Sequence, residues 1–367
     1  MKIVIDARFT RTDHHDGISR YGASLIAATS RIADVSMLIS DPRQLSLLPD
    51  VPYTLINSPL SPSELFVAGK VNRLGADVVV CPMQTMGTWG RKYGLVLTLH
   101  DLIYYEHPAP PGFLPAPVRV LWRLYHKAFW PQRLLLNRAD VVATISRTTE
   151  ALMAKYRLTA RPVRIISNAP QPAQRPRDPG AGRDKTLLYM GSFMPYKNVE
   201  TMLAGMAELP GYTLHLLSRI TPQRRAELEA LMPAGANIVF HNGVTDDEYT
   251  DLLKRTTALV SLSKAEGYGL PLVEAMALGT PVIASDTPIF REVGADAATY
   301  VDPDSPAAFA AAAHSLDDDA RWQDVSRRSV RRAQEFSWDD SARQLVEVAA
   351  EVMALRGNNR TCKSRPH

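Results

Sequence analysis

Glu266-Gly-Tyr-Gly-Leu-Pro-Leu-Val-Glu274 is a segment in which two acidic residues, eight positions apart, enclose a glycine-rich turn and an apolar run. Gly267 and Gly269 allow a tight turn and a close approach of the backbone to a ligand, because neither carries a Cβ atom. The run Leu270–Leu278 predicts a helix, with a proline in its first turn and a glycine after its last residue. The pattern therefore predicts a helix N-terminus at which a diphosphate binds favourably.

Together with the residues that follow it up to Ala284, this segment resembles the two-acid signature of the family-4 retaining glycosyltransferases, which have the GT-B fold. The resemblance implies that Glu274 binds the ribose of a nucleotide sugar and that Glu266 lies beside the transferred sugar. The donor site would also include the residues of the turn and of the helix start, namely Gly267, Tyr268, Gly269 and Leu270. The competing interpretation is a surface loop and a buried helix whose acids are incidental.

The size and composition of the chain fit a globular enzyme. It has 367 residues, of which 46% are hydrophobic, so it is long enough for two domains. No apolar run approaches the roughly 20 residues that a membrane helix needs. The start, Met1–Arg8, reads as a buried strand and not as a signal peptide. Two cysteines, Cys81 and Cys362, indicate neither a disulfide framework nor a zinc site, so we expect a cytoplasmic protein, peripheral on the inner face of the plasma membrane if it contacts a bilayer.

The charge is distributed unevenly along the chain. Residues 1–170 contain 20 Lys and Arg against 12 Asp and Glu, and the remaining residues contain 22 against 26. The first part is therefore basic and the second slightly acidic, although the whole chain has a net charge of only +4. A basic first half favours an anionic partner, such as a diphosphate, a lipid surface or a nucleic acid.

Short β-rich runs alternate with amphipathic stretches in two series, which a segment rich in proline separates. Several runs are continuously apolar, as expected for parallel strands that are buried on both faces. The expected strands are Lys2–Ile5, Val35–Ile39, Val78–Val80, Leu95–Leu99, Val141–Ile145, Val163–Ile166, Leu187–Met190, Thr213–Leu217, Ile238–Phe240, Ala258–Ser261, Val282–Ala284 and Thr299–Val301. The pattern predicts an α/β protein with two Rossmann-like, doubly wound domains that face a cleft.

The expected boundaries follow from these two series. We expect an N-terminal, acceptor-binding domain over residues 1–170, a linker over 171–182, and a C-terminal, nucleotide-sugar-binding domain over 183–335. A helix follows at 336–356, and residues 357–367 form an expected disordered tail. In the GT-B fold that the resemblance implies, the last helix crosses back onto the N-terminal domain.

The segment Leu188–Asn198 reads as a strand, a glycine turn at Gly191 and a lysine, Lys197, before a helix. Negative charge grows on a leaving diphosphate, and a nearby cation stabilises it. The segment resembles the family's phosphate-binding loop, in which many relatives have an arginine directly after the glycine. Here Ser192 holds that position, and Arg219 is a candidate substitute. The competing interpretation makes Lys197 a solvated residue at a helix start.

The loop after the first strand contains Asp16-Gly-Ile-Ser-Arg-Tyr-Gly22. Gly17 permits a close approach of the backbone to a phosphate or sugar. The string resembles a subgroup of the family that contains many bacterial mannosyltransferases. Arg20 either pairs with an acid, Asp6 or Asp101, or meets an anionic acceptor. His14 and its neighbour lack the further ligands of a metal site, so we expect no metal there.

A histidine ends the strand Leu95–Leu99, followed directly by an acid. The position of His100 at the end of a central strand favours a functional role over that of a satisfied core histidine. In the family this histidine contacts the transferred sugar, and an imidazole can donate a hydrogen bond to a hydroxyl. Asp101 is a candidate for orienting the ring.

The segment between His107 and Ala139 contains no acid and five basic residues. Three of them share one face of a predicted helix in the basic segment 117–138, next to an apolar stripe that includes Trp122. The three are Arg119, Arg123 and Lys127. Such a helix either lies on an anionic membrane or packs its stripe on the domain and leaves its basic face in solvent.

The resemblance implies a retaining glycosyltransferase that uses a nucleoside-diphosphate sugar, with His100, Glu266 and Lys197 as the expected catalytic residues. The resemblance implies GDP-mannose as donor, a lipid-diphosphate-linked oligosaccharide or polysaccharide as acceptor, and no metal or other cofactor. The alternatives are a UDP-sugar donor such as UDP-glucose, a UDP-sugar epimerase of the same fold, and a non-catalytic scaffold that binds nucleotide sugars. A phosphorylase-like reaction needs a pyridoxal lysine, for which this sequence has no local signature, and no motif supports nucleic-acid binding.

Overall fold

The computed structural model describes residues 1–108, 116–171 and 175–363, and for residues 116 and 358–363 it describes the backbone alone. Part of the expected linker, residues 172–174, and the last four residues of the expected tail lie outside the described residues. The described chain divides into two compact units. Unit 1 comprises Met1–Ala169 and Ser337–His367, and unit 2 comprises Pro170–Phe336.

Parallel strands form one sheet in each unit, as the continuous apolar runs predict. The strands are β1 (Lys2–Asp6), β2 (Asp34–Ile39), β3 (Tyr53–Leu55), β4 (Val78–Cys81), β5 (Gly94–Leu99), β6 (Val141–Thr144), β7 (Val163–Ile165), β8 (Thr186–Tyr189), β9 (Thr213–Leu216), β10 (Asn237–Phe240), β11 (Ala258–Ser261), β12 (Val282–Ser285) and β13 (Ala298–Val301). All expected strands are confirmed within about two residues at each end.

The helices cover the faces of these sheets. They are α1 (Gly17–Thr29), α2 (Val67–Asn72), α3 (Ile103–Glu106), α4 (Ala116–Tyr125), α5 (Trp130–Leu136), α6 (Arg147–Lys155), α7 (Val199–Gly205), α8 (Pro222–Glu229), α9 (Asp246–Arg255), α10 (Leu270–Ala277), α11 (Pro288–Gly294), α12 (Pro306–Ser315), α13 (Asp319–Ala333) and α14 (Trp338–Lys363). No helix of the described residues combines the length and apolar composition that crossing a bilayer requires.

In each sheet, all strands run parallel, and the strand order reverses beside the first strand of the series. Unit 1 has the order β3-β2-β1-β4-β5-β6-β7, and unit 2 has the order β10-β9-β8-β11-β12-β13. The first strand of each series, β1 or β8, therefore lies next to a strand from the other half of its own sheet. In open parallel sheets, ligands bind at the carboxyl ends of the strands beside this switch.

Helix α14 packs on unit 1, although it follows unit 2 in sequence. It contacts α1 and β5, and a Cβ atom on Gly94 would lie 2.2 Å from Cγ1 of Val352. Its buried residues recur at helical spacing: Trp338, Ser341, Ala342, Leu345, Val348, Ala349 and Val352. The predicted return of the last helix to the first domain is thus observed. Its backbone is helical through Lys363, whereas the sequence led us to expect a disordered tail from residue 357.

The described residues of the expected linker pack on unit 2. Arg177 is buried and donates a hydrogen bond of 2.8 Å from Nη1 to the carbonyl of Thr256. Its guanidinium lies 4.5 Å from the ring centre of Trp322, which is fully buried. Burial lowers the pKa of Arg177 to about 10. Hydrogen bonding and the ring face together hold this segment against the end of the unit 2 sheet.

Candidate functional site

Lys197 and Glu266 form an ion pair at the carboxyl edge of the unit 2 sheet. The lysine follows β8 and the acid follows β11, and these two strands are parallel neighbours. Nζ of Lys197 lies 2.6 Å from Oε1 of Glu266. The two side chains are only 15% and 13% exposed, so the pair is largely shielded from water. The structure therefore brings together two of the predicted site residues that are 69 positions apart in sequence.

Asn198 fixes the backbone that carries Lys197. It adopts a left-handed conformation with φ 57°, which an asparagine tolerates better than most residues. Its Nδ2 donates to the carbonyl of Leu262 at 3.1 Å and to that of Pro303 at 2.6 Å. The side chain therefore ties the loop after β8 to the loops after β11 and β13. It makes no side-chain cap bond to α7, although it precedes that helix.

The glycine turn after β8 is closely packed. The amide of Gly191 donates to Oγ of Ser218 at 3.0 Å, and the hydroxyl of Tyr189 donates to the carbonyl of Ser192 at 2.6 Å. A Cβ atom on Gly191 would lie 2.7 Å from the Tyr189 hydroxyl, so the turn requires glycine. Burial raises the pKa of Tyr189, which keeps the phenol protonated as a donor.

Arg219 directly follows Ser218, which contacts this turn, and it is exposed. A Cβ atom on Gly243 would lie 3.1 Å from its Cγ, so the stem of the arginine rests on that glycine. This places Arg219 on the loop after β9, next to the loop after β8. Its role as a substitute for the arginine that is absent at Ser192 stays a prediction.

The turn before α10 has the conformation that its glycines allow. Gly269 has φ 93°, and a Cβ atom there would lie 2.9 Å from Cε1 of Phe290. Glycine is therefore needed both for the left-handed backbone and for the close packing. Gly267 and Tyr268 are buried. Leu270 begins α10, and Leu270 and Glu274 are both partly buried. The backbone of the predicted donor site therefore lies at the start of this helix.

His100 lies at the carboxyl end of β5 in unit 1, where its ring is held on one side. Its Nε2 lies 2.7 Å from the carbonyl oxygen of Pro82, and its ring contacts the edge of Tyr21. Because a carbonyl only accepts, Nε2 carries the proton and Nδ1 of the neutral ring is an acceptor. Burial lowers the pKa of His100, which favours this neutral form. We predicted a ring that donates to a hydroxyl, whereas this geometry leaves the ring an acceptor at Nδ1.

Asp101, the residue after His100, binds the backbone at the start of α3. Its Oδ1 accepts a hydrogen bond of 3.1 Å from the amide of Ile103, which begins α3. The group that the structure shows against the ring of His100 is the carbonyl of Pro82, which no sequence pattern indicated, and the role of Asp101 in orienting the ring stays a prediction.

The lowered pKa of His100 makes the stability of the protein depend on pH. The unfolded chain takes up a proton near the ordinary value of 6.5, above the lowered value in the folded chain. The unfolded state therefore binds more protons as the pH falls below that value, and His100 disfavours folding there. The variant His100→Gln keeps an N–H that can donate to Pro82 but has no group that titrates in this range. When the pH is lowered from about 7.5 to about 5, we expect the free energy of unfolding of this variant to fall less than that of the parent protein. Urea unfolding at both pH values measures this difference, and equal losses in both proteins would contradict it.

The loop after β1 leads into α1, which starts at Gly17. Asp16 caps this helix by accepting a hydrogen bond of 2.9 Å from the amide of Ser19. A Cβ atom on Gly17 would meet no protein atom within 4 Å, so the space above the helix start is open. Arg20 is partly buried in the first turn. Among the described residues, no group of three or more His, Cys, Asp and Glu side chains is arranged to hold a metal ion.

A buried ion-pair network at the end of β1 is the main feature of unit 1 that sequence reasoning missed. Arg8 donates from Nη2 to Asp6 at 2.8 Å and from Nη1 to Glu64 at 2.6 Å. The side chains of Arg8 and Asp6 are fully buried. Burial alone would lower the pKa of Arg8, but the two carboxylates raise it above its ordinary value. Asp6 thus pairs with Arg8, not with Arg20 as one of our alternatives proposed.

The structure describes the basic segment 117–138, for which the sequence left two interpretations open; contact with a membrane stays a prediction. Trp122 is partly buried, and its ring contacts those of Tyr104 and His126. The exposed side chains of α4 and the residues after it include Val118, Arg119, Val120, Leu121, Arg123, Leu124 and Lys127. The aromatic side of the helix therefore packs on unit 1, while basic and aliphatic side chains share its outer side.

Comparison with known proteins identifies the class to which these features belong. The family description "Glycosyltransferase Family 4" matches residues 42–172, and "Glycosyl transferases group 1" matches residues 171–335. The O-antigen chain mannosyltransferase RfbU of Salmonella typhimurium is 24% identical over 82% of this chain and 87% of that protein.

Solved structures share the fold at low sequence identity. The sucrose-phosphate synthase of Thermosynechococcus elongatus has a TM-score of 0.71 and 20% identity, covering 96% of this chain and 99% of the other. HepE of Anabaena, solved in complex with UDP-glucose, has a TM-score of 0.70 and 17% identity, covering 96% and 100%.

Two parallel-sheet units of this kind, with glycosyltransferases as structural neighbours, define the GT-B fold of nucleotide-sugar-dependent glycosyltransferases. The two family matches adjoin and together span residues 42–335. The chain therefore belongs to the glycosyltransferases of family 4, as its sequence motifs indicated.

Proposed function

We propose that this glycosyltransferase is a retaining α-mannosyltransferase that moves mannose from GDP-mannose to a lipid-diphosphate-linked oligosaccharide. The observation that carries the proposal is the shielded Lys197–Glu266 pair, which stands at the edge where α10 begins. The name of the relative RfbU supports mannose as the transferred sugar.

Lys197 supplies the charge that the departing diphosphate needs. An ammonium has three donors, and Glu266 occupies one of them at 2.6 Å. The other two can reach phosphate oxygens, and the pair with the acid holds the cation in place before the donor arrives. The amides of Gly269 and Leu270 add the partial positive charge of the start of α10. These groups provide the charge stabilisation in the proposed reaction, which requires no metal.

In the proposed transfer, the new glycosidic bond forms on the face of the sugar from which the diphosphate leaves. The acceptor hydroxyl oxygen forms a bond to the anomeric carbon as the bond from that carbon to the diphosphate oxygen breaks. The hydroxyl proton passes to the departing diphosphate, which leaves as the nucleoside diphosphate. Glu274 holds the ribose, and Glu266 and His100 bind sugar hydroxyls, with Nδ1 of His100 as the acceptor. Water is excluded so that the donor is not hydrolysed.

The outer side of the basic segment supports a lipid-linked acceptor. Its exposed Arg119, Arg123 and Lys127 attract an anionic bilayer, and its exposed Leu121 and Leu124 can enter the headgroup region. Each basic residue near such a surface contributes about 1 kcal/mol to binding. Peripheral contact at this helix would place the acceptor-binding unit beside its substrate.

When a membrane extract supplies the acceptor, we expect the purified protein to release GDP from GDP-mannose and to transfer labelled mannose into the lipid fraction. Coupled detection of the nucleoside diphosphate and counting of the lipid phase measure the two products. Anionic vesicles that carry the acceptor should support faster transfer than neutral ones.

Each other outcome of this assay favours a named alternative. Activity with UDP-glucose alone would overturn the mannose assignment and match the ligand seen in HepE. Conversion of a UDP-sugar without transfer would indicate an epimerase. Absence of turnover together with absence of nucleotide binding in calorimetry would indicate the non-catalytic scaffold.

A further inference from the structure

A cavity of about 470 Å³ lies on the outer side of α2 in unit 1, and none of the functions above uses it. Its lining residues are Phe66, Gly69, Lys70, Arg73, Trp89 and Gly90. None of them contacts His100 in a hydrogen bond described above. Lys70 donates from Nζ to Oδ1 of Asn57 at 3.1 Å, and the side-chain amide of Asn57 in turn donates to Glu64 of the Arg8 network. The volume of the cavity falls within the range of small-molecule sites.

Two aromatic rings form one wall of the cavity. Phe66 and Trp89 are 57% and 73% exposed, and their ring centres are 5.3 Å apart at an angle of 41°. The pair presents an apolar surface to water on which a ligand with an apolar face can pack. The rings stand too close together to hold a ligand between them, so they act as a single platform.

Two hydrogen bonds hold the turn that carries Trp89. Asn72 at the end of α2 fixes the turn that carries Trp89, because its Nδ2 donates to the carbonyl of Gly90 at 2.9 Å. Its Oδ1 accepts from the amide of Lys92 at 2.8 Å, on the other side of the same turn. Gly90 has φ 73°, a conformation that suits glycine. The backbone beneath Trp89 is therefore held in place before a ligand binds, which reduces the entropy that binding loses at this turn.

Charge and open space complete the site. Lys70 and Arg73 are exposed at its rim, and the lining contains no acid. A Cβ atom on Gly69 or Gly90 would meet no protein atom within 4 Å, so both backbones are open to a ligand. A ligand that matches these features combines an apolar face with negative charge.

We propose that this cavity binds an acidic saccharide, at a subsite separate from the donor site. The apolar face of a sugar ring packs on the Phe66–Trp89 platform, and its carboxylate or phosphate pairs with Lys70 and Arg73. The volume of about 470 Å³ and the paired aromatic rings fit a sugar ring that packs on the platform. Binding to a lipid surface is one of the outcomes of the test. The site requires neither the proposed donor nor the proposed acceptor.

Binding of tetragalacturonate to the full-length protein, measured by calorimetry and by tryptophan fluorescence, tests the proposal. We expect saturable binding with a dissociation constant below about 10 mM. Trp89→Ala and the double variant Lys70→Glu with Arg73→Glu should each weaken it at least about tenfold. Trp130→Ala is the matched control, because Trp130 is also an exposed tryptophan of unit 1, at 66%, and it should bind as the parent does.

A second variant separates loss of the site from loss of folding. Asn72→Ala keeps every lining side chain but releases the turn of Trp89, so it should weaken binding while the circular dichroism spectrum stays unchanged. Binding that Trp89→Ala leaves intact would overturn the proposal, and so would absence of binding at about 10 mM probe. Equal affinity for neutral maltotetraose would overturn the acidic specificity. Binding to anionic vesicles alone would assign the patch to a membrane. These outcomes do not depend on sugar transfer.

Discussion

We expect Lys197→Ala to lower the turnover of the nucleotide-sugar donor by about 100- to 1000-fold, the effect of removing one preorganised charge-stabilising group. The ammonium stands at the sheet edge, held by Glu266 at 2.6 Å and shielded from water. Charge stabilisation matters most where negative charge grows, so the effect should fall on kcat more than on the binding of the donor. Steady-state rates and donor affinities of the purified variant measure the two separately.

Two controls limit the interpretation of that result. Lys197→Arg keeps the charge and should retain more activity than the alanine variant. Lys264→Ala removes a lysine of the same sheet edge, 40% exposed and paired with the exposed Asp304, and should stay close to the parent protein. A Lys197→Ala enzyme with parental kcat would remove this residue from the proposed reaction.

The second large effect concerns the stability of unit 1. We expect Arg8→Met to lower the free energy of unfolding by about 3–5 kcal/mol, because it leaves a buried charge without its partner. Asp6 is fully buried and receives two hydrogen bonds from the guanidinium, at 2.8 Å each. Glu64 would lose its bonds to Nη1 and Nη2 as well. Urea unfolding followed by circular dichroism measures the loss.

Arg11→Met is the matched control for this substitution. Arg11 forms a comparable ion pair with Asp16 at 2.7 Å, but the two side chains are 58% and 37% exposed. An exposed pair contributes about 0–1 kcal/mol, so this variant should unfold almost as the parent does. Similar losses in both variants would show that burial of the Arg8 network is not what makes it costly to break.

The architecture was largely predictable because buried parallel strands leave a strong pattern of continuous apolar runs. The strand that the sequence did not reveal is β3, Tyr53–Leu55. It is a three-residue edge strand, and two of its side chains are exposed. Such a strand is defined by its pairing with β2, which no local pattern records. The end of α14 was also missed, because its polar last turns show no apolar stripe.

The candidate site was predictable where spacing along the chain carried the information. The two acids, the glycine turn and Lys197 follow a local pattern, and the structure joins Lys197 to Glu266. The partners of Asn198 and Ser218, and Glu64 as a partner of Arg8, were not predictable, because each lies at least 25 positions away in sequence. The acceptor character of His100 likewise depends on the distant carbonyl of Pro82.

The position of α14 at the end of the sequence affects how unit 1 folds during synthesis on the ribosome. Its stripe from Trp338 to Val352 covers α1 and β5, yet all of unit 2 is synthesised before it appears. The nascent first unit therefore waits, with that face unprotected, while about 170 residues are added at about 5–20 residues per second. Unit 1 therefore emerges first but completes its folding last. During those seconds its exposed face is available for chaperones to bind.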